Sequence, residues 1–165
     1  MSDSSSICLS CGVCCDGTLI GFVQLEKEEL PALREIMDIE EGNYQGFFLQ
    51  PCIKFCGGCS IYTERPKQCA AFECGLLKSV NQKELSFDSA IDIVQIVKQK
   101  RIEIEKKMLT FPYKLQSDSF YFKMVELKKV LQKHEKSLKE CHLALVSDLD
   151  QLDRILSNNF GVSLS

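Results

Sequence analysis

Cys8-Leu-Ser-Cys11-Gly-Val-Cys14-Cys15 and Pro51-Cys52-Ile-Lys-Phe-Cys56-Gly-Gly-Cys59-Ser-Ile-Tyr62-Thr-Glu-Arg65-Pro66-Lys-Gln-Cys69-Ala-Ala-Phe72-Glu-Cys74 hold nine of the ten cysteines of this 165-residue chain. Cysteine at this density, in spaced groups, points to sulfur chemistry rather than to core filling. A metal takes thiolate sulfurs at about 2.3 Å, so its ligands must converge. The C-x2-C spacing of Cys8/Cys11, Cys11/Cys14 and Cys56/Cys59 achieves this when a tight turn brings residues i and i+3 to one side. Gly12, Gly57 and Gly58 sit inside those turns, where no Cβ obstructs the backbone. The vicinal pair Cys14-Cys15 is different. Neighbours in an extended chain point to opposite faces, so either the two serve different centres or one of them is free. With Cys56 set aside, eight thiols remain, enough for two four-sulfur sites. Both histidines, His134 and His142, lie far downstream, so the ligand set is all sulfur, or sulfur with oxygen.

The remaining composition decides what kind of sulfur chemistry this is. A chain 45% hydrophobic and 26% charged is ordinary for a soluble globular protein of one domain, or of a small domain with an appendage. A net charge of -3 and a pI near 5.5 create no field that would recruit nucleic acid or an anionic membrane. The first residues, Met-Ser-Asp-Ser-Ser-Ser, lack the basic and apolar regions of a secretory signal. No apolar run approaches the roughly 20 residues of a membrane helix. A cytoplasmic location is expected, with neither nucleic acid nor membrane as partner. In a reducing compartment such cysteines read as metal ligands or redox groups rather than as disulfides.

Along the chain, residues 1 to 7 read as a frayed polar tail. Cys8 to Thr18 is turn material, with Gly12 and Gly17 supplying positive φ. Leu19 to Leu25 predicts a short strand and Glu26 to Met37 a helix that accommodates Pro31 only in its first turn. Phe47-Phe48-Leu49 predicts a second strand. Beyond Cys74 the character changes to one cysteine, one proline and two glycines. Phe87, Ile91, Val94, Val97, Ile104 and Met108 recur at helical spacing, capped by Ser86 or Asp88 and stopped before Pro112. A second stripe runs through Phe120, Met124, Leu127, Leu131, His134, Leu138, Cys141, Leu145, Leu152 and Leu156, with Ser147-Asp148 as a point of interruption. Two long helices with a short connection predict an antiparallel hairpin. The expected fold is a small α+β protein: a loop-rich cysteine metal-binding module over residues 1–80, followed by a long antiparallel helical hairpin over residues 81–165 that packs on it.

Taken together, Cys8-x2-Cys11-Gly-x-Cys14-Cys15, Pro51-Cys52, Gly58-Cys59-x-Ile61-Tyr62-x2-Arg65-Pro66-x2-Cys69 and x2-Phe72-x-Cys74 closely resemble the zinc- or iron-chelating cysteine-cluster (CxxCxxCC) family. The resemblance covers residues 8 to 74 and does not extend to the helices. It implies metal or iron–sulfur binding, with Cys8, Cys11, Cys14, Cys15, Cys52, Cys59, Cys69 and Cys74 as the ligands by motif position. Two departures stand out: Cys56 is additional, and Ala70 occupies a place where the family tends to have arginine. The Cys8/Cys11/Cys14 run also resembles the C-x2-C-x2-C run of bacterial ferredoxins, but its fourth cysteine is adjacent instead of three residues on.

Around the thiols, Tyr62 and Arg65 are candidates to hydrogen-bond or neutralise the sulfurs of a bound cofactor. The competing reading packs Tyr62 in a small core and pairs Arg65 with Glu64 or Glu73. Cys141 and His134 share the apolar stripe two helical turns apart, roughly 10 Å and too far for one metal, so both are expected in the core. His142, on a neighbouring face, is expected exposed. The lysines at 128, 129, 133, 136 and 139 alternate with Glu126, Glu135 and Glu140 and read as a solvated, salt-bridged face. The functional expectation is zinc, the preferred metal, or iron, as the ion or as an iron–sulfur cluster, held by cysteine thiolates, with the helices as an arm for a protein partner or substrate contact. An iron–sulfur redox protein or metal-dependent oxidoreductase is the alternative, and a metal chaperone or sensor a further one. No catalytic constellation appears apart from the thiols.

Overall fold

The computed structural model describes residues 3–42, 46–134 and 140–164. In chain order these form α1 (Asp3–Cys11), β1 (Phe22–Leu25), α2 (Leu30–Arg34), β2 (Glu40–Glu41), β3 (Gly46–Leu49), a 3-10 turn (Tyr62–Glu64), α3 (Lys67–Ala71), α4 (Gly75–Asn81), α5 (Phe87–Met108), α6 (Phe120–Lys133), α7 (Glu140–Ile155) and a closing π-turn (Leu156–Phe160). The chain is thus a small mixture of helix and antiparallel sheet, as expected. Among the described residues no helix is long and apolar enough to cross a membrane.

The strands alternate as half-buried strands do. Val23 and Leu25 of β1 point inward while Phe22 and Gln24 are exposed. The sheet order is β1-β3-β2, with Val23 opposite Phe48 and Leu25 opposite Gly46. Its inner face meets α2 in a small core of Val23, Leu25, Leu33, Met37 and Phe48. The expected helix over Glu26 to Met37 shortens to Leu30–Arg34, with Pro31 inside its first turn as the missing proline N–H requires.

A second and much larger core gathers the helices. Ile7, Val13, Leu19, Leu76, Leu77 and Val80 join Val94, Val97, Ile104, Met124, Leu127, Leu145, Leu149, Leu152 and Phe160 in one cluster. Residues from both sides of position 80 therefore share one interior. Ser86 and Ser119 cap α5 and α6, each accepting an N–H three residues on, from Ser89 at 3.1 Å and Phe122 at 3.4 Å.

Several sequence expectations are corrected here. The supposed tail is helical from Asp3, because burial of Ile7 against α4 and α5 outweighs a weak local preference. Helix α4 was not expected; it forms because Leu76, Leu77 and Val80 are buried on one face. The second stripe is divided between α6 and α7, and α7 runs unbroken through Ser147-Asp148. The Asp148 carboxylate accepts hydrogen bonds from Lys100 and Lys107 of α5 instead of capping a new helix. His142, not His134, is the buried histidine, with its ring edge-on to Phe111 at 5.6 Å. His134 is half-buried and stacks on Tyr113 at 4.4 Å. The reading of Cys141 falls on a side chain outside those described, as do Lys136 and Lys139 of the basic face. Within that face Lys128 pairs with Asp153 of α7.

The Asp148 contacts make a stability prediction. Burial raises the Asp148 pKa, but the hydrogen bonds from Lys107 and Lys100 outweigh it and hold the carboxyl below its ordinary value. A depressed carboxyl stabilises the fold above the unfolded pKa of about 3.9 and loses that contribution as pH falls through the folded value. Asp148→Asn should therefore cost about 1–2 kcal/mol at pH 7, a deficit that closes below about pH 4 in urea unfolding.

Candidate functional site

The eight cysteines carried by the resemblance line one cavity of about 260 Å³ together with Gln50, Tyr62, Arg65, Phe72 and Glu73. All nine cysteines from Cys8 to Cys74 are free thiols, and Cys56 is exposed on the loop outside that cavity.

The sequence reaches this convergence by helix as well as by turn. Cys8 and Cys11 lie on α1, where a spacing of three puts side chains on one face, rather than in the turn that C-x2-C led us to expect. Gly12 then ends the helix at φ +69, and a Cβ there would come within 2.4 Å of the Phe55 ring. The chain turns through Cys14 and Cys15, and Cys52 N–H donates to the Cys15 carbonyl at 2.8 Å, which brings the second cysteine stretch alongside the first. From Cys52 the loop folds on itself: Phe55 N–H donates to the Cys52 carbonyl, Cys56 N–H to Gly58, and Phe55 bridges Cys59. Cys69 rides on α3, and Cys74 stands at the N-cap of α4.

The thiols face one another in two sets. Cys74 lies beside Cys8, Cys11 and Cys14, each of whose ionisation it opposes. Cys15 is opposed by Cys59, Cys52 and Cys69, and Cys69 in turn by Cys52 and Cys59. The vicinal pair stands at the junction: Cys14 is opposed by Cys74, Cys11 and Cys8 and also by Cys15, whereas Cys15 is opposed by Cys59, Cys52 and Cys69. For six of the eight the packing follows the same division. Cys8, Cys11, Cys14 and Cys74 pack against the large core, whereas Cys52 and Cys69 pack against the small one. Among the described residues, no group of three or more His, Cys, Asp or Glu side chains stands at a spacing that would already hold a metal ion.

Burial is the main force on these thiols. It pushes Cys11, Cys15 and Cys69 up to about 12 and Cys14 well above its ordinary value, and the neighbouring sulfurs add to it. Backbone amides work the other way: Val13 toward Cys11, Lys54 toward Cys52, and Leu76 and Leu77 toward Cys74. The Cys74 sulfur thus looks at the amides opening α4 without closing a capping hydrogen bond. Such an arrangement of N–H groups around sulfur suits a thiolate.

Tyr62 and Arg65 stand beside the sulfurs. The Tyr62 hydroxyl is disposed to favour the Cys8 thiolate, and the Arg65 charge favours the thiolates of Cys8 and Cys69, one from each set. The guanidinium lies over the Tyr62 ring, 3.8 Å from its centroid, and donates to the Tyr62 carbonyl. Among the described residues Arg65 forms no ion pair with Glu64 or Glu73.

Three residues of the site escaped sequence reasoning. Arg101 reaches from α5 to the turn after Cys15, pairing with Asp16 at 3.1 Å and donating to the Asp16 carbonyl at 2.6 Å and Thr18 Oγ1 at 2.9 Å. Asp16 could have been noticed, since Asp16-Gly17 is a turn pair and its carboxylate accepts from Thr18 N–H. Nothing in the sequence marks Arg101. Gln50, buried at 2% exposure, lines the cavity with its Oε1 lacking a hydrogen-bond partner. No family model matches the chain, and neither does any curated protein or solved structure.

Proposed function

We propose that the chain is a metal-binding protein with two centres of four cysteine thiolates each: Cys8, Cys11, Cys14 and Cys74 at one, and Cys15, Cys52, Cys59 and Cys69 at the other. The observation that carries the proposal is that eight thiols line one cavity, Cys8, Cys11, Cys14 and Cys74 packing on the large core and Cys52 and Cys69 on the small one, with Cys14 and Cys15 adjacent at the junction. The donor chemistry fits. An all-sulfur set suits zinc or iron, and backbone N–H groups together with Tyr62 and Arg65 are disposed to share the thiolate charge. A bound cation would supply the positive charge that lets such crowded, buried thiols ionise, and would draw each set together.

Zinc is the preferred metal, because closed all-cysteine sites are more often structural zinc; iron or an iron–sulfur cluster is the other outcome the same sulfurs admit. In this reading residues 1–80 form the metal-binding module and residues 81–165 a helical arm, hairpin-like in its use of α5 against α7. The arm would meet a protein partner, with Ile96, Ile102, Leu109 and Leu143 as exposed apolar surface.

Anaerobic purification followed by metal analysis and a visible spectrum tests this. The expected result is a colourless protein with about two equivalents of zinc per chain. A brown protein with acid-labile sulfide assigns iron–sulfur instead, and protein that takes up neither metal overturns the proposal. Cys56→Ser should leave the stoichiometry unchanged; loss of a full equivalent would show that the choice of eight ligands is wrong.

A further inference from the structure

The two thiol sets rest on supports of different kinds. Cys8 and Cys11 belong to α1, which packs on α4 and α5, and Cys74 opens α4. Ile7, Val13, Leu76 and Leu77, all buried, surround this set and continue into the helical interior. The set therefore persists for as long as the large core does.

The other set has such backing only at Cys15, whose turn is held by Arg101 of α5; Cys52, Cys59 and Cys69 lack it. Its core contains five buried side chains. Its strands are two to four residues long and its helices five. Between β3 and α3, the stretch carrying Cys52 and Cys59 has only a three-residue 3-10 turn. Helix α3, which carries Cys69, is tied to the sheet side by polar contacts in solvent: Lys67 to Glu26, Lys67 N–H to Glu29 at 2.7 Å, and Gln24 N–H to the Gln68 side chain. Exposed contacts of this kind are screened and weak. Short strands over so small a core are marginal without a further cross-link.

We infer that, on the two-centre reading above, the Cys15/Cys52/Cys59/Cys69 centre is the exchangeable one, and that its metal governs the order of the β-sheet unit. The Cys8/Cys11/Cys14/Cys74 centre is the permanent one. Release of the exchangeable ion loosens β1, β3 and α3 while α5 and α7 hold, so metal supply is read out as a local unfolding of the sheet unit.

The test is a chelator titration of the full chain loaded with two equivalents of Zn(II), with released zinc and amide hydrogen exchange followed in the same samples. One equivalent should leave at a chelator concentration at least about tenfold lower than the other. At that point exchange across residues 22–25, 46–49 and 67–71 should rise by about 100-fold, with residues 90–104 and 145–156 still protected. Simultaneous release of both equivalents overturns the inference. So does first release accompanied by opening of α1 and α4 with the sheet still protected. A chain that cannot be loaded beyond one equivalent removes the two-centre reading itself, and this inference with it.

Discussion

Cys14→Ser and Cys15→Ser should each remove one equivalent of metal, and the two should remove different ones. Here Cys14 faces Cys8, Cys11 and Cys74, whereas Cys15 faces Cys52, Cys59 and Cys69. Double variants separate the cases. Cys14→Ser with Cys74→Ser should lose no more metal than either alone, since both break one centre. Cys15→Ser with Cys69→Ser should behave the same way. Cys14→Ser with Cys69→Ser should lose both equivalents. Metal analysis at fixed protein concentration reads the result directly. Additive loss in the first pair and none in the third would dismiss the division of the thiols.

Arg101→Met carries the second large effect. Arg101 holds the turn after Cys15 by three contacts, with its guanidinium carbon 4.5 Å from the centre of the Phe120 ring. Its partner Asp16 is largely buried. Burial raises the Asp16 pKa, and the Arg101 charge is the main force opposing that rise. Removing the cation strands a carboxylate in a poorly solvated place, so a loss of about 3 kcal/mol is expected in the metal-loaded protein. Because this folded pKa is raised, protonation favours the folded state, and the penalty should shrink as pH falls through the Asp16 pKa. Adding Asp16→Asn to Arg101→Met should recover part of the loss at pH 7. Thermal unfolding of the four proteins of this cycle measures it; a double variant less stable than Arg101→Met would contradict the stranded charge.

What the sequence disclosed and what it withheld follow from the range of the forces involved. Ser86 as a cap is a local matter, a hydroxyl three residues from the amide it accepts, and it was legible. The short strands around Val23 and Phe48 were legible through alternation. Opposed facing of Cys14 and Cys15 was one of two readings that backbone geometry allowed. Helix α1 was not legible, because its short polar segment is helical only by virtue of Ile7 entering a core built by residues much further along. The company each cysteine keeps was also hidden. Spacing pairs Cys59 with Cys56, yet Cys59 turns to Cys15 and Cys69 while Cys56 faces solvent. Cys74, near Cys69 in sequence, belongs to the earliest cysteines because α4 packs on α1. Arg101 is one of several charges along α5, in reach of Glu105, and only the fold carries it to Asp16.

The order of the thiols along the chain gives the molecule a nested topology. One set spans positions 8 to 74 and the other spans 15 to 69, wholly inside the first. On the two-centre proposal, the excursion between them leaves and returns at nearly the same place, from Cys15 beside Cys14 to Cys69 on α3, close to α4. For a loop so closed, the entropic cost of added length grows only logarithmically. The sheet unit is therefore a detachable inset as far as chain statistics are concerned: its length can drift while the helices that receive its two ends keep their register.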